Sequence, residues 1–165
     1  MKLFKSLMLL FALSFSLTAT AQTVPDIDIK TMEGETVNIQ DYTNNGKITV
    51  ISFWATWCSP CIAELKAISD LYPDWVENYD IQFLAITLDT RQRIARAGAI
   101  AESNSWEYTI LSDPNQDLQR ALGFQNPPQT YIVDAEGNIV YDHNGYTPGD
   151  EEDLGDKLAE LAEKK

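Results

Sequence analysis

Two cysteines, Cys58 and Cys61, are the only cysteines of the 165-residue chain, and Ser59 and Pro60 separate them. A disulfide between them would close a very small ring, which restrains little of the unfolded chain. Stabilising the fold is therefore a poor explanation for the pair. Two thiols at this spacing suit thiol–disulfide exchange, in which one cysteine attacks a disulfide and the other resolves the mixed disulfide.

The flanking sequence predicts how these two thiols are positioned. Residues 47–54 are almost continuously apolar and β-forming, which is typical of a central strand covered on both faces. Pro60 suits a first helical turn, and apolar residues follow it at helical spacing. Cys58 would then lie at a helix N-terminus, whose partial positive charge favours a thiolate nucleophile. Cys61, one turn later and facing the protein body, would be the resolving thiol.

The rest of the chain predicts one α/β domain: a three-layer sandwich with a central mixed sheet and helices on both faces. Short strands on either side of Glu33 and Gly34 should form a sheet edge. Pro73 should kink or interrupt the helix after the cysteines. The further predicted elements are a strand at 81–87, a helix at 90–103, a strand at 108–111, a helix capped by Asp113 and Pro114 and ending at Gly123, a hairpin of 130–133 and 138–141, and a helix at 149–164.

The first 21 residues have the pattern of a secretory signal peptide. Lys2 and Lys5 precede an apolar run at residues 7–17, and Ala19-Thr20-Ala21 provides a cleavage site. That run is shorter than the roughly 20 residues that a membrane-spanning helix needs. We therefore expect cleavage after Ala21, a mature domain at residues 22–165, and a location in the periplasm.

The charge of the chain limits its partners. The net charge is −13, and removing Lys2 and Lys5 with the signal peptide makes it about −15. Nucleic acid and anionic membrane surfaces are therefore not expected partners. We expect a monomer without a cofactor, whose partners are the disulfides or dithiols of exported proteins. An electron donor, which could be membrane-bound, would have to recharge the site.

Two segments carry a family resemblance. They are residues 50–61, VISFWATWCSPC, and residues 128–134, PQTYIVD, which precede Glu136 and Gly137. The chain resembles the TlpA/ResA-like branch of the thioredoxin superfamily over nearly all of the mature sequence. The resemblance implies a thioredoxin-like fold with an N-terminal strand pair and an inserted strand–helix segment. It also implies a redox-active disulfide, and many proteins of this branch act as reductants outside the cytoplasm.

The resemblance also assigns roles to further residues. Pro128 matches a cis-proline beside the cysteines, which would offer the backbone of Pro127 to a substrate strand. Glu64 matches a glutamate that could accept the proton of Cys61, although a solvated glutamate on the helix surface is an equal alternative. The residues expected to contact substrate are Trp57, Ser59, Pro60 and Pro127. Trp54 could equally belong to the core.

One departure and two alternatives remain. Thioredoxins carry a buried Asp where this chain has Ser52, which cannot serve as a carboxylate base. A peroxiredoxin-like peroxidase is an alternative, but the segment before Cys58 lacks the proline of the peroxidase loop. A metal chaperone is another, but zinc needs about four ligands, and the chain has a single histidine, His143, which we expect on the surface of a strand.

Overall fold

A computed structural model describes residues 22–164 of the protein, and the predicted signal peptide lies outside this part of the chain. Seven strands form one sheet in the order β2-β1-β5-β4-β3-β6-β7. The strands are β1 (Asp28–Thr31), β2 (Thr36–Asn38), β3 (Thr49–Trp54), β4 (Gln82–Thr87), β5 (Thr109–Ser112), β6 (Gln129–Val133) and β7 (Ile139–Asn144). The helices are α1 (Gln40–Thr43), α2 (Ser59–Tyr79), α3 (Ile94–Ser103), α4 (Asp117–Leu122) and α5 (Asp150–Ala162), with a 3₁₀ turn at Arg91–Arg93 before α3.

Strand β3 lies in the interior of the sheet, as its mostly apolar sequence predicts. All six of its residues are buried. It pairs in parallel with β4 and antiparallel with β6, so the sheet is mixed as predicted. The predicted N-terminal strand pair forms one edge of the sheet through β2, and β7 forms the other.

Two hydrophobic clusters cover the two faces of the sheet. One cluster contains Leu65 and Ile68 of α2, Ala97 of α3, and Leu154 and Leu158 of α5. The other cluster joins the opposite face of the sheet to α4 and to the residues around α1. Helices therefore cover both faces, and the predicted three-layer sandwich is confirmed.

Helix α2 contains Pro73, at which the sequence predicts a kink or an interruption. The helix continues through this proline to Tyr79, so the predicted interruption does not occur. Proline removes one helical hydrogen bond. The helical segment after it is held by burial, since Trp75 is 5% exposed and packs in the cluster that also contains α5. Packing of the second half of the helix thus outweighs the local preference of the proline.

The N-terminus of helix α4 is bound by the carboxylate of Asp113, which precedes the helix in the chain. The carboxylate of Asp113 accepts the backbone N–H groups of Asp117 and Gln119 at 2.9 and 3.0 Å. Gly123 ends the helix in the left-handed conformation, with φ of 79°. The predicted end at Gly123 is thereby confirmed, whereas the helix begins at Asp117 after the N-cap residue Gln116, so Asp113 binds the first turn without being its N-cap. Within residues 22–164, none of the helices has the length and apolar character needed to cross a bilayer.

Candidate functional site

The cysteines lie at the junction of β3 and α2. Cys58 is the N-cap of α2, and its Sγ accepts the backbone N–H of Cys61 at 3.3 Å. The two cysteines form a disulfide with their Cα atoms 5.3 Å apart. Cys58 is 5% exposed and Cys61 is fully buried. The helix end therefore directs an N–H donor and a partial positive charge at the outer sulfur, as the spacing predicted.

The residues next to the disulfide form an exposed rim. The side chain of Trp57 is the most exposed large hydrophobic group of the described residues, at 58%. Ser59 and Pro60 are also exposed, whereas Trp54 is fully buried in the core. An indole in this position offers apolar contact area to a partner. The predicted substrate contacts at Trp57, Ser59 and Pro60 are thus accessible, and Trp54 is a core residue.

A buried carboxylate holds the loop that precedes the cysteines. Asp89, just after β4, accepts the backbone N–H of Thr56 at 2.7 Å and its hydroxyl at 2.8 Å. The hydroxyl of Thr87 also donates to Asp89 at 2.8 Å. Sequence reasoning missed this contact, although an acidic residue directly after a buried strand was an available signal. The carboxylate fixes the backbone that leads from β3 to Cys58.

The peptide bond between Pro127 and Pro128 is cis, as the resemblance implied. Pro128 is buried, and its carbonyl accepts the backbone N–H of Gly145 at 2.9 Å. Strand β6 begins at the next residue, Gln129, which pairs with Phe53 near the end of β3. Pro128 therefore lies beside the C-terminal end of β3, which leads directly to the cysteines.

The carboxyl group of Glu64 is buried beneath the site, with 4% of the residue exposed. The hydroxyl of Thr130 donates to Oε1 at 2.7 Å, and that of Ser52 donates to Oε2 at 3.2 Å. Glu64 follows Cys61 by one helical turn, so the two side chains lie on neighbouring positions of α2. The alternative of a solvated surface glutamate is therefore wrong.

Burial raises the pKa of Glu64 from its ordinary value of 4.5 to about 7, because desolvation disfavours the carboxylate. The hydrogen bonds from Thr130 and Ser52, followed by the positive charge of His143, lower it by less. A carboxyl group with a pKa of about 7 exchanges its proton near neutral pH. Ser52 is no base, but its hydroxyl binds a carboxylate that helix α2 supplies.

The alternative functions can be compared with the same geometry. Among residues 22–164, no group of three or more His, Cys, Asp or Glu side chains could hold a metal ion. Thr56, the only threonine between Trp54 and Cys58, donates its hydroxyl to Asp89 rather than presenting it beside the sulfur. The geometry of the described residues therefore favours neither the metal chaperone nor the peroxidase.

Comparison with known proteins agrees with this geometry. The thioredoxin-like protein YneN of Bacillus subtilis is 30% identical over 125 residues, which cover 75% of this chain and 71% of that protein. The thiol-disulfide oxidoreductase ResA of Geobacillus thermodenitrificans is 27% identical over 121 residues, covering 73% and 67%. An uncharacterised thioredoxin-like protein from Porphyromonas gingivalis has a solution structure with 39% identity and a TM-score of 0.76, covering 88% of this chain and 95% of that one.

A thioredoxin-like sheet with a Cys-x-x-Cys pair at a helix N-terminus, shared with such relatives, defines the class of protein: a thiol–disulfide oxidoreductase of the thioredoxin fold. The sequence profile of the AhpC/TSA family matches residues 20–142, which is most of the chain. The chain belongs to the AhpC/TSA family, and its resemblance to the ResA-like branch is confirmed.

The buried carboxyl of Glu64 makes the stability of the protein depend on pH. Its pKa is higher in the folded state, so the folded protein binds more protons than the unfolded chain between pH 4.5 and about 7. Stability is therefore lost as pH rises through this window. Glu64→Gln carries no charge at this position and escapes the loss. As pH rises from acidic values to about 8, we expect its free energy of unfolding to increase by up to about 3 kcal/mol relative to that of the native protein.

Urea unfolding of both oxidised proteins at several pH values measures this difference. Taking the difference between the two proteins removes the contributions of ionisable groups that do not interact with Glu64. Glu77→Gln, at an exposed position of the same helix, serves as the control. A difference that stays constant between pH 4.5 and about 8 would contradict the raised pKa.

Proposed function

We propose that this protein is a periplasmic reductase that transfers electrons from its dithiol to disulfides of exported proteins. The observation that carries the proposal is the contrast between the two sulfurs: Cys58 lies at the helix end beside an exposed rim, and Cys61 is buried next to Glu64. One thiol is placed to meet a substrate, and the other is placed to release it.

In the first step, the thiolate of Cys58 attacks one sulfur of a substrate disulfide. The bond between Cys58 and that sulfur forms as the substrate S–S bond breaks, and the leaving thiolate takes a proton from solvent. The N–H of Cys61 and the positive end of α2 stabilise the attacking thiolate. Trp57, Ser59 and Pro60 would contact the substrate, and the carbonyl oxygen of Pro127 would accept a hydrogen bond from its backbone.

In the second step, Cys61 must lose its proton in order to attack Cys58. The carboxylate of Glu64 accepts that proton, and the Cys61 thiolate then displaces the substrate thiolate, which is released and protonated. A base with a pKa of about 7 suits this transfer, because it is partly ionised at neutral pH and can take up the proton. The protein ends in the disulfide form, and an electron donor must reduce it again.

The residues around Cys58 support the proposed direction of electron flow, from this protein to its substrates. Strong oxidants stabilise the thiolate with charged or donor groups within the motif, whereas Ser59 and Pro60 contribute a hydroxyl and no charge. The net charge of the chain is also negative, which disfavours a further anion. A less stabilised thiolate makes the reduced form a better electron donor. The predicted signal peptide supports export as the setting.

Substitution of the two cysteines should separate their roles. We expect Cys61→Ser to accumulate mixed disulfides with exported proteins through Cys58, because the resolving thiol is missing, and Cys58→Ser to accumulate none. Non-reducing gels and mass spectrometry of the captured partners, from cells expressing each variant, provide the measurement. Equal capture by the two variants would refute the assigned roles.

The role of Glu64 can be measured with a chromogenic aryl disulfide such as 5,5′-dithiobis(2-nitrobenzoate). Attack by Cys58 releases one coloured thiolate, and attack by Cys61 releases the second. Glu64→Gln should leave the first phase unchanged and slow the second phase on the order of 100-fold near neutral pH, because the base is lost. Glu107→Gln, an exposed carboxylate, is the matched control. A second phase with an unchanged pH profile would remove Glu64 from the mechanism.

The reduction potential tests the direction. Without extra thiolate stabilisation, we expect a value well below the roughly −120 mV of strongly oxidising DsbA-type proteins. Equilibration with glutathione buffers, followed by tryptophan fluorescence beside the disulfide, gives this value. A potential near about −120 mV, or efficient oxidation of reduced unfolded proteins, would refute the reductase assignment while leaving thiol–disulfide exchange in place.

A further inference from the structure

Polar side chains form a row across three adjacent strands, directly under α2. Ser52 of β3 pairs with Thr130 of β6, and Thr130 pairs in turn with His143 of β7. Directly opposite residues of antiparallel strands point to the same face, with Cβ atoms about 4.5–5.5 Å apart. The row therefore runs along one face of the sheet, from its fully buried centre to its edge.

The two inner members of the row bind Glu64, and the outer member reaches solvent. Thr130 and Ser52 donate to the two carboxyl oxygens of Glu64. The side chain of His143 is 37% exposed, and its Nε2 lies 3.1 Å from Oδ2 of Asp150, whose side chain is 27% exposed. His143 lies on the edge strand β7, in agreement with its prediction as a strand residue at the surface, and its half-buried ring faces the same side as Thr130.

A small cavity lies between the inner and outer ends of the row. Its volume is about 10 Å³, which is the scale of a single water molecule. Its walls contain both the buried acid Glu64 and the outer pair of His143 and Asp150, together with Thr130, Tyr141 and Glu151. Glu64 itself has almost no contact with solvent, so its proton needs a path through these groups.

We propose that His143, held by Asp150, is the solvent end of a proton route that discharges Glu64 through this cavity and so returns it to the carboxylate that each resolution step needs. The inference rests on the proposed function, since it concerns the proton that Cys61 gives to Glu64. His143 is a positioning residue in this scheme: it touches neither sulfur and acts through Glu64.

The proton balance of the route is simple. Glu64 takes the proton of Cys61 and becomes a neutral acid. It then passes a proton across the cavity to His143, either directly or through one water molecule. When Nε2 donates to Asp150, Nδ1 is left as the basic nitrogen, and Asp150 stabilises the imidazolium that forms. The imidazolium releases its proton to solvent, which returns both groups to their starting state.

The surrounding charges support this direction of transfer. Asp150 and Glu151 face the cavity from α5, so a proton arriving at His143 meets negative charge. The positive charge of His143 lowers the pKa of Glu64, which favours return of the carboxylate, and the opposite effect of the Asp150 charge is the smaller of the two. Three tyrosines, Tyr108, Tyr141 and Tyr146, also sense the charge of Glu64, and burial is the main cause that raises the pKa of each. They therefore stay neutral and do not compete for the proton.

A purely structural role for the pair is the alternative. Oδ2 of Asp150 also accepts the backbone N–H of Thr147 at 2.7 Å, which fastens the turn before α5. His143 could then serve only to fasten β7 to that helix. The two roles differ in what they need from residue 143, because a fastening needs only a hydrogen-bond donor, whereas a proton route needs a base.

The experiment uses the two coloured phases of the aryl disulfide reaction with the reduced, full-length mature protein. His143→Gln keeps a donor that can reach Asp150 but cannot carry a proton. We expect an unchanged first phase and a second phase about tenfold slower at and below about pH 7, because the part of the protein whose Glu64 is protonated must discharge it before Glu64 can accept the proton of Cys61. This loss is smaller than the loss that direct removal of the base causes. In His143→Ala, added imidazole should restore the second phase, and pyrazole, a similar ring that is far less basic, should not.

Asp142→Asn is the matched control, because Asp142 neighbours His143 on β7 but is exposed on the opposite face. A native rate in His143→Gln, or slowing in His143→Ala that imidazole and pyrazole relieve equally, would overturn the proton route. Glu64→Gln distinguishes failure of the proton route from failure of the proposed function. If it slows the second phase while His143→Gln does not, only the route fails; if neither phase occurs in the native protein, the proposed function fails.

Discussion

The structure of the site depends on one buried carboxyl group that receives hydrogen bonds from two neighbouring strands. Glu64 projects from α2 onto the sheet, where Ser52 of β3 and Thr130 of β6 hold its two oxygens. These contacts join the helix that carries both cysteines to the centre of the sheet. An unpaired carboxyl at this depth would be very costly, so the two hydroxyls and the raised pKa of Glu64 make its burial tolerable.

The same arrangement separates the environments of two chemically identical thiols. Cys58 receives the N–H of Cys61 and the field of the helix end, which favour its anionic form. Cys61 has neither advantage and is fully buried, so it needs a nearby group to take its proton. The carboxylate of Asp89 serves the outer thiol indirectly, because it fixes Thr56 and hence the path of the chain into the helix.

Much of the fold followed from local pattern. The apolar run of β3, the turn at Glu33 and Gly34, and the helix ending at Gly123 all occur as predicted, because each depends on residues close together in the chain. Pro73 is a position at which local pattern does not predict the structure. The proline disfavours a continuous helix locally, but Trp75 beyond it is buried by contacts with distant elements, and those contacts prevail.

The sequence alone determined the chemistry, because two cysteines separated by Ser59 and Pro60, after a buried strand, leave few other uses for the pair. It also indicated Glu64, but it could not decide between a solvated and a buried carboxyl. That decision required the register that aligns Ser52, Thr130 and His143 across three strands, although Ser52 and His143 are 91 residues apart in the chain. Only tertiary structure brings such residues together, because strand pairing sets the face and the neighbours of each side chain, and burial then sets its pKa.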